Sequence, residues 1–152
     1  MKFIIIGNKS AVAYRQVFPL IKERKVWIGH THPGEFRTPY GETTHMKGLT
    51  RWFSNVGEPK VKLIKNRKKY QGGYPKIDNF PAIEVGKVRD IPDGYDGLMA
   101  VPVTFLEWLV PGYEIVGILK GDYTKLDGVV IGHTPTVGGV RKYTRVVIKP
   151  VK

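Results

Sequence analysis

Lys2-Phe3-Ile4-Ile5-Ile6-Gly7, then a helix-patterned stretch, then Val26-Trp27-Ile28-Gly29: this passage decides the fold. The first run is β-branched and aromatic and is closed by glycine. It reads as a buried strand of the parallel kind, covered on both faces. Asn8-Lys9-Ser10 reads as a turn. Val12, Val17, Leu20 and Ile21 then form an apolar stripe that predicts a helix over 11–23. Pro19 should divide that helix into a short piece and a final turn. Lys22-Glu23-Arg24-Lys25 is a charged exit into the second strand. Strand, helix, strand in this order predicts one right-handed crossover unit of an open sheet.

Working outward, His30 to Gly48 reads as a long loop, a length that usually marks function or motion. Leu49 to Val56 reads as a strand able to pair antiparallel beside the Val26 strand. Lys60 to Lys65 partly alternates and predicts another. Strands are also expected over Ala82–Val88, Tyr113–Lys120, Leu126–Ile131 and Arg141–Val151. Leu98 to Val103 contains Pro102, which predicts an edge or broken strand. Thr104 to Leu109 predicts one or two helical turns, with Thr104 as cap and Glu107 at the capping-box spacing. The fold class is therefore α/β: a partial sheet with its helix over 1–56, then an antiparallel strand-rich extension over 57–152. The 152 residues suit one compact domain.

Charge is concentrated in the first half. The chain carries 25 Lys and Arg against 13 Asp and Glu, a formal net charge of +12. All of that excess falls before Asp78, and the remainder is balanced. Such a field favours a polyanion. The densest run is Lys60 to Tyr70, where Lys60, Lys62, Lys65, Arg67, Lys68 and Lys69 stand with no acidic neighbour. Trp52, Phe53, Tyr70 and Tyr74 give it aromatic company. Arg37, Arg51 and those six cations would contact phosphates, and Trp52 and Tyr70 would stack on bases. One of Trp52 and Phe53 should instead enter the core, because adjacent strand residues face opposite ways.

Other chemistries find little support. There is no cysteine, so disulfides, thiolate metal sites and cysteine nucleophiles are excluded, which fits a cytoplasmic protein. The apolar run at the start is too short for a membrane span, and no membrane partner is expected. His30, His32 and His45 lie in the long loop without a recognised zinc spacing, and His133 is isolated. No metal site is expected. Ser10 and Ser54 stand in no nucleophile-elbow sequence. Asp90, Asp93 and Asp96 are explained by solvated turns. Gly7-Asn8-Lys9-Ser10 lacks the upstream glycines of a P-loop, leaving a simple turn or a backbone anion nest.

Several blocks together resemble one family. They are Lys2 to Lys9, Lys25 to Gly29, Arg51-Trp52-Phe53-Ser54-Asn55, Tyr74-Pro75-Lys76-Ile77-Asp78-Asn79, and Asp96 to Leu106. In order and spacing they resemble the C-terminal portion of the EcoRI-type adenine-specific DNA methyltransferases, over nearly the whole chain. The resemblance implies a doubly wound fold and methyl transfer from S-adenosylmethionine to N6 of a flipped adenine. The family's catalytic Asn-Pro-Pro-Phe motif and its donor pocket have no counterpart here. No catalytic or cofactor-binding residue is therefore assigned, and the chain by itself is expected not to be an enzyme. S-adenosylmethionine would enter only if a partner chain supplied the missing half.

The resemblance also makes residues from Gly41 onward the expected target-contacting part. A sheet cut at its centre leaves an unpaired strand edge, so a protein partner or self-association is also expected. The resulting reading is a non-catalytic DNA-binding module, with RNA as the alternative polymer. The alternatives are a protein-interaction module, such as a phage-encoded inhibitor of a nucleic-acid-guided nuclease or other defence enzyme, and one subunit of a split methyltransferase.

Overall fold

The computed structural model describes residues 1–120, 130–132 and 134–152. The strand expected at Leu126–Ile131 lies partly, and His133 wholly, outside the described residues. The expected fold class holds: mixed α/β, a sheet with one helical connection followed by a mainly antiparallel strand-rich part. The chain divides into two compact units, Met1–Lys60 with Leu106–Trp108, and Val61–Phe105 with Leu109–Lys152. Among the described residues no helix is long and apolar enough to cross a membrane.

The first unit contains β1 (Ile4–Asn8), α1 (Phe18–Lys22), β2 (Trp27–Ile28), β3 (Glu35–Arg37), β4 (Thr43–His45) and β5 (Thr50–Ser54). Its main sheet has the order β1-β5-β2, and β5 is antiparallel to both neighbours. β1 and β2 therefore run in the same direction, as a crossover requires, but β5 is inserted between them.

The expected burial of β1 is not found. β1 is an edge strand with β5 on one side only, and Ile4, Ile5 and Ile6 are 60%, 54% and 41% exposed, so neither of its faces is well covered. The predicted helix is also shorter. Lys9–Ala13 forms a 3-10 turn capped by Asn8, and α1 begins next to Pro19. Proline is tolerated in a first turn, where backbone N–H groups have no helical acceptor. Phe18, Ile21, Val26, Ile28 and Phe53 form the buried centre of this unit.

Gly29 makes room for Trp52. A Cβ at Gly29 would lie 2.8 Å from the Trp52 Cβ, which is anchored to the β5 backbone. Gly29→Ala is expected to cost about 1–3 kcal/mol by overpacking. A urea-unfolding midpoint unchanged by this substitution would refute that contact.

The second unit contains β6 (Ile83–Glu84), β7 (Met99–Pro102), β8 (Tyr113–Leu119), β9 (Val130–Gly132), β10 (Thr136–Val137), β11 (Val140–Arg141) and β12 (Arg145–Pro150). The five-stranded sheet has the order β6-β7-β12-β8-β9. β12 is central and antiparallel to both β7 and β8. Val146, Val147 and Ile148 are fully buried, as a strand covered on both faces requires. β7 is interior, not the edge or broken strand expected from Pro102. The sheet tolerates this proline because β7 ends on it.

In this part of the chain one further expectation fails, and the helical turn expected near Thr104 forms without its capping box. Lys60–Lys65 forms no strand, only an isolated bridge from Val61 to Leu109. Val61 and Leu63 stay exposed, so the alternation has no core to face. Residues Val103–Glu107 form a 3-10 turn, and the Glu107 carboxylate bonds Arg51 rather than closing a capping box.

The β10–β11 hairpin turns on Gly138 and Gly139, whose φ values of +56° and +78° suit adjacent glycines. Their N–H groups donate to the two carboxylate oxygens of Asp78, at 3.0 and 2.8 Å. These bonds, with Gly139 the larger influence, hold the Asp78 carboxyl below its usual range.

Candidate nucleic-acid interface

Within the second unit, residues 61–70 are fixed at both ends by backbone bonds. The Lys62 N–H donates to the Leu109 carbonyl at 2.9 Å. The Tyr70 N–H donates to the Asp93 carbonyl at 2.8 Å, and the Asp93 N–H to the Lys68 carbonyl at 2.9 Å. Arg67 adds a side-chain tether. Its guanidinium donates to the Tyr113 hydroxyl, pairs with the Asp93 carboxylate at 3.1 Å, and lies 5.9 Å from the Tyr113 ring centre. Arg67 is thus engaged internally, whereas Lys65, Lys68 and Lys69 are exposed. Among the described residues these three lysines have no side-chain hydrogen bond or ion pair. Lys62 is exposed on the same segment.

Tyr70 is not an open stacking platform. Its ring packs against Tyr74 at 5.9 Å and Tyr95 at 4.5 Å between centroids. Tyr74 donates its hydroxyl to the Asp90 carbonyl at 2.9 Å. Burial, then the neighbouring Tyr70, push the Tyr95 hydroxyl above its usual pKa. The tyrosine cluster anchors the end of the basic segment. Sequence reasoning missed Tyr95, which stands 25 positions from Tyr70 in a loop without periodicity. A nearby cleft of about 520 Å³ is lined by residues 76–83 and Tyr95. Asp78 is bonded to the hairpin glycines, and the Asn79 amide donates to the Thr134 carbonyl at 3.2 Å.

Within the first unit, four expected contact residues have different environments. Arg51 Nε lies 3.1 Å from Glu107 Oε1, and Nη1 donates to the Thr50 carbonyl at 2.8 Å. Its side chain is only 15% exposed, so it is a structural cation rather than an open phosphate contact. Trp52 is half-buried over Gly29, and Phe53 is the member of that pair in the core. Arg37 is exposed on β3, and Lys60 is exposed.

The sequence reading of 30–48 as a loop also missed β3 and β4. They pair antiparallel as a two-stranded ribbon, Glu35 opposite His45, Phe36 opposite Thr44 and Arg37 opposite Thr43. Glu35-Phe36-Arg37 and Thr43-Thr44-His45 flanking Tyr40-Gly41 was the available signal, and Gly41 takes the positive φ of the turn, +86°.

The histidines do not gather. Among the described residues no three His, Asp or Glu side chains form a metal site. His30 instead packs against Trp108, with ring centroids 4.4 Å apart, and its Nε2 is buried without a described partner. Burial, then Lys60, lower its pKa. The folded imidazole therefore stays neutral where the unfolded one begins to protonate. Stability should be complete above the unfolded value, about 6.5, and should fall as pH drops below it, levelling off once the folded histidine also protonates. Urea midpoints at pH 7.5 and 5.5 should differ less for His30→Phe than for the parent; equal differences would refute the assignment.

The geometry described so far is one of fixed, exposed cations. The family described as "Adenine-specific methyltransferase EcoRI" matches residues 1–150. The chain belongs to this family. It is 31% identical over 179 aligned residues to the Type II methyltransferase M.MgeORF184P of Mycoplasma genitalium. It is 32% identical over 179 to M.MpnI of Mycoplasma pneumoniae. Each of these alignments covers 97% of this chain and 56% of the relative. M.EcoRI of Escherichia coli is 36% identical over 143 residues, covering 79% of this chain and 44% of that protein. The chain thus spans about half the length of the curated relatives it matches. No solved structure matches it.

S-adenosylmethionine, implied by the family resemblance, finds no open cradle at the turn after β1. There the Ser10 N–H already donates to Asn8 Oδ1 at 2.8 Å.

Proposed function

We propose that this chain is the DNA-binding, target-recognising part of an adenine-specific DNA methyltransferase, and that it does not transfer methyl groups by itself. The observation that carries the proposal is the set Lys65, Lys68 and Lys69, exposed on a segment anchored at both ends, in a chain of this family. Lysines of this kind bind phosphates as point charges, releasing counterions. The sequence supports the non-catalytic part, since it contains no Asn-Pro-Pro-Phe motif.

The test is binding of the purified chain to labelled duplex DNA, single-stranded DNA and RNA across a salt series. Duplex binding that weakens steadily with salt is expected. No duplex binding near physiological salt would overturn the assignment and turn the basic segment into a protein-docking surface. The chain incubated with labelled S-adenosylmethionine and adenine-containing duplex should incorporate no label. Label in adenine would overturn the non-catalytic reading.

A further inference from the structure

The β3–β4 ribbon has one face that the fold does not use. Opposite residues of an antiparallel pair share a face, and alternate residues share it too. Glu35, His45, Arg37 and Thr43 therefore lie together, while Phe36 and Thr44 lie on the other face. Phe36 is half-buried and anchors the ribbon, whereas all four residues of the first face are exposed. Among the described residues none of these four side chains has a hydrogen bond or ion pair. Beyond them the loop carries Tyr40, which is 92% exposed.

This face differs from the lysine segment in kind. Arg37 and Glu35 cancel in charge, so it adds little attraction to a phosphate backbone. What it offers is a mixed set of groups: a guanidinium fork, a carboxylate, a hydroxyl with its methyl, and an imidazole. That set matches base edges, where arginine pairs with guanine, a carboxylate accepts from the cytosine amino group, and threonine meets either a polar edge or the thymine methyl. The dimensions also agree. A two-stranded ribbon fits the major groove, which is about 12 Å wide. The rungs Glu35–His45 and Arg37–Thr43 are about 7 Å apart at strand rise. That is about two base-pair steps at 3.4 Å each.

Resting on the DNA-binding reading above, we propose that the β3–β4 ribbon enters the major groove of duplex DNA and reads base identity through Arg37, Glu35, Thr43 and His45. The lysines of the other unit supply affinity, and the ribbon supplies sequence preference over about three consecutive base pairs.

The experiment is selection from a randomised duplex library with the parent chain, Arg37→Ala and Thr43→Ala. Binding of each to a fixed arbitrary duplex is measured at 50 mM salt. The parent should enrich a motif. Arg37→Ala should lose about 5- to 150-fold of discrimination at one position. An unchanged motif in both variants would overturn the ribbon's role while leaving DNA binding intact. So would a parent that binds without preference, or loss of all binding by Arg37→Ala, since the ribbon would then carry affinity. Failure of the parent to bind any duplex would overturn both the ribbon's role and the DNA-binding reading.

Discussion

Glu84→Ala is expected to destabilise the second unit by about 3–5 kcal/mol, a large share of the 5–15 kcal/mol that typically holds a domain folded. Glu84 lies on β6 and Arg145 opens β12, two strands apart in the sheet. Their side chains are only 8% and 11% exposed. Both Nε and Nη2 of Arg145 converge on Glu84 Oε1, at 2.9 and 2.8 Å. The remaining guanidinium contacts, to the carbonyls of Tyr143 and Thr144, are long at 3.3 and 3.4 Å. Removing the carboxylate would leave a buried cation with only those weak acceptors.

The pair itself is not a large net stabiliser, because both charges were taken out of water to form it. Glu84→Leu combined with Arg145→Met should therefore recover most of the loss. Urea unfolding of the two single variants and the double variant measures this directly. A loss below about 1 kcal/mol for Glu84→Ala would place the pair in the range of exposed ion pairs and refute its burial.

Neither partner of that pair was identifiable from sequence, and the reason is general for this chain. Arg145 and Glu84 are 61 positions apart, and Arg51 and Glu107 are 56 apart. A charge count marks Arg51 and Arg67 as open cations because it cannot see Glu107 or Asp93 folding against them. The strands of the second unit were more legible. Val146-Val147-Ile148 is an uninterrupted apolar run, and burial on both faces is what such a run requires.

β1 carries the same kind of run but remains exposed, because a run records suitability for burial and not the presence of a cover. The β3–β4 ribbon left only a turn signal at Tyr40-Gly41, for the opposite reason. Thr43, Thr44 and His45 are all exposed, so no core imposes alternation on them. The family was legible because its evidence lay in ordered blocks, such as Asp96 to Leu106, rather than in any periodicity.

Changing Lys65, Lys68 and Lys69 together to glutamine should weaken duplex binding on the order of 10²-fold near 0.1 M salt and lower the salt slope by up to about 3. The magnitude follows from counterion release, since each phosphate contact contributes about 0.9 to the slope of log affinity against log salt. The choice of residues follows from their freedom. Arg67 sits among them in sequence, but its guanidinium holds Tyr113 and Asp93, so Arg67→Gln would loosen the segment as well as remove a charge. The three lysines are exposed and engage no described partner, so their loss should leave the urea midpoint within about 0.5 kcal/mol of the parent. Weaker binding with an unchanged slope would mean that the lysines act through structure rather than phosphate contact. Unchanged binding at low salt would remove this segment from the interface. Base preference should survive the triple substitution, because phosphate contacts carry no sequence information directly. A variant that binds weakly yet selects the same motif would separate affinity in one unit from recognition in the other.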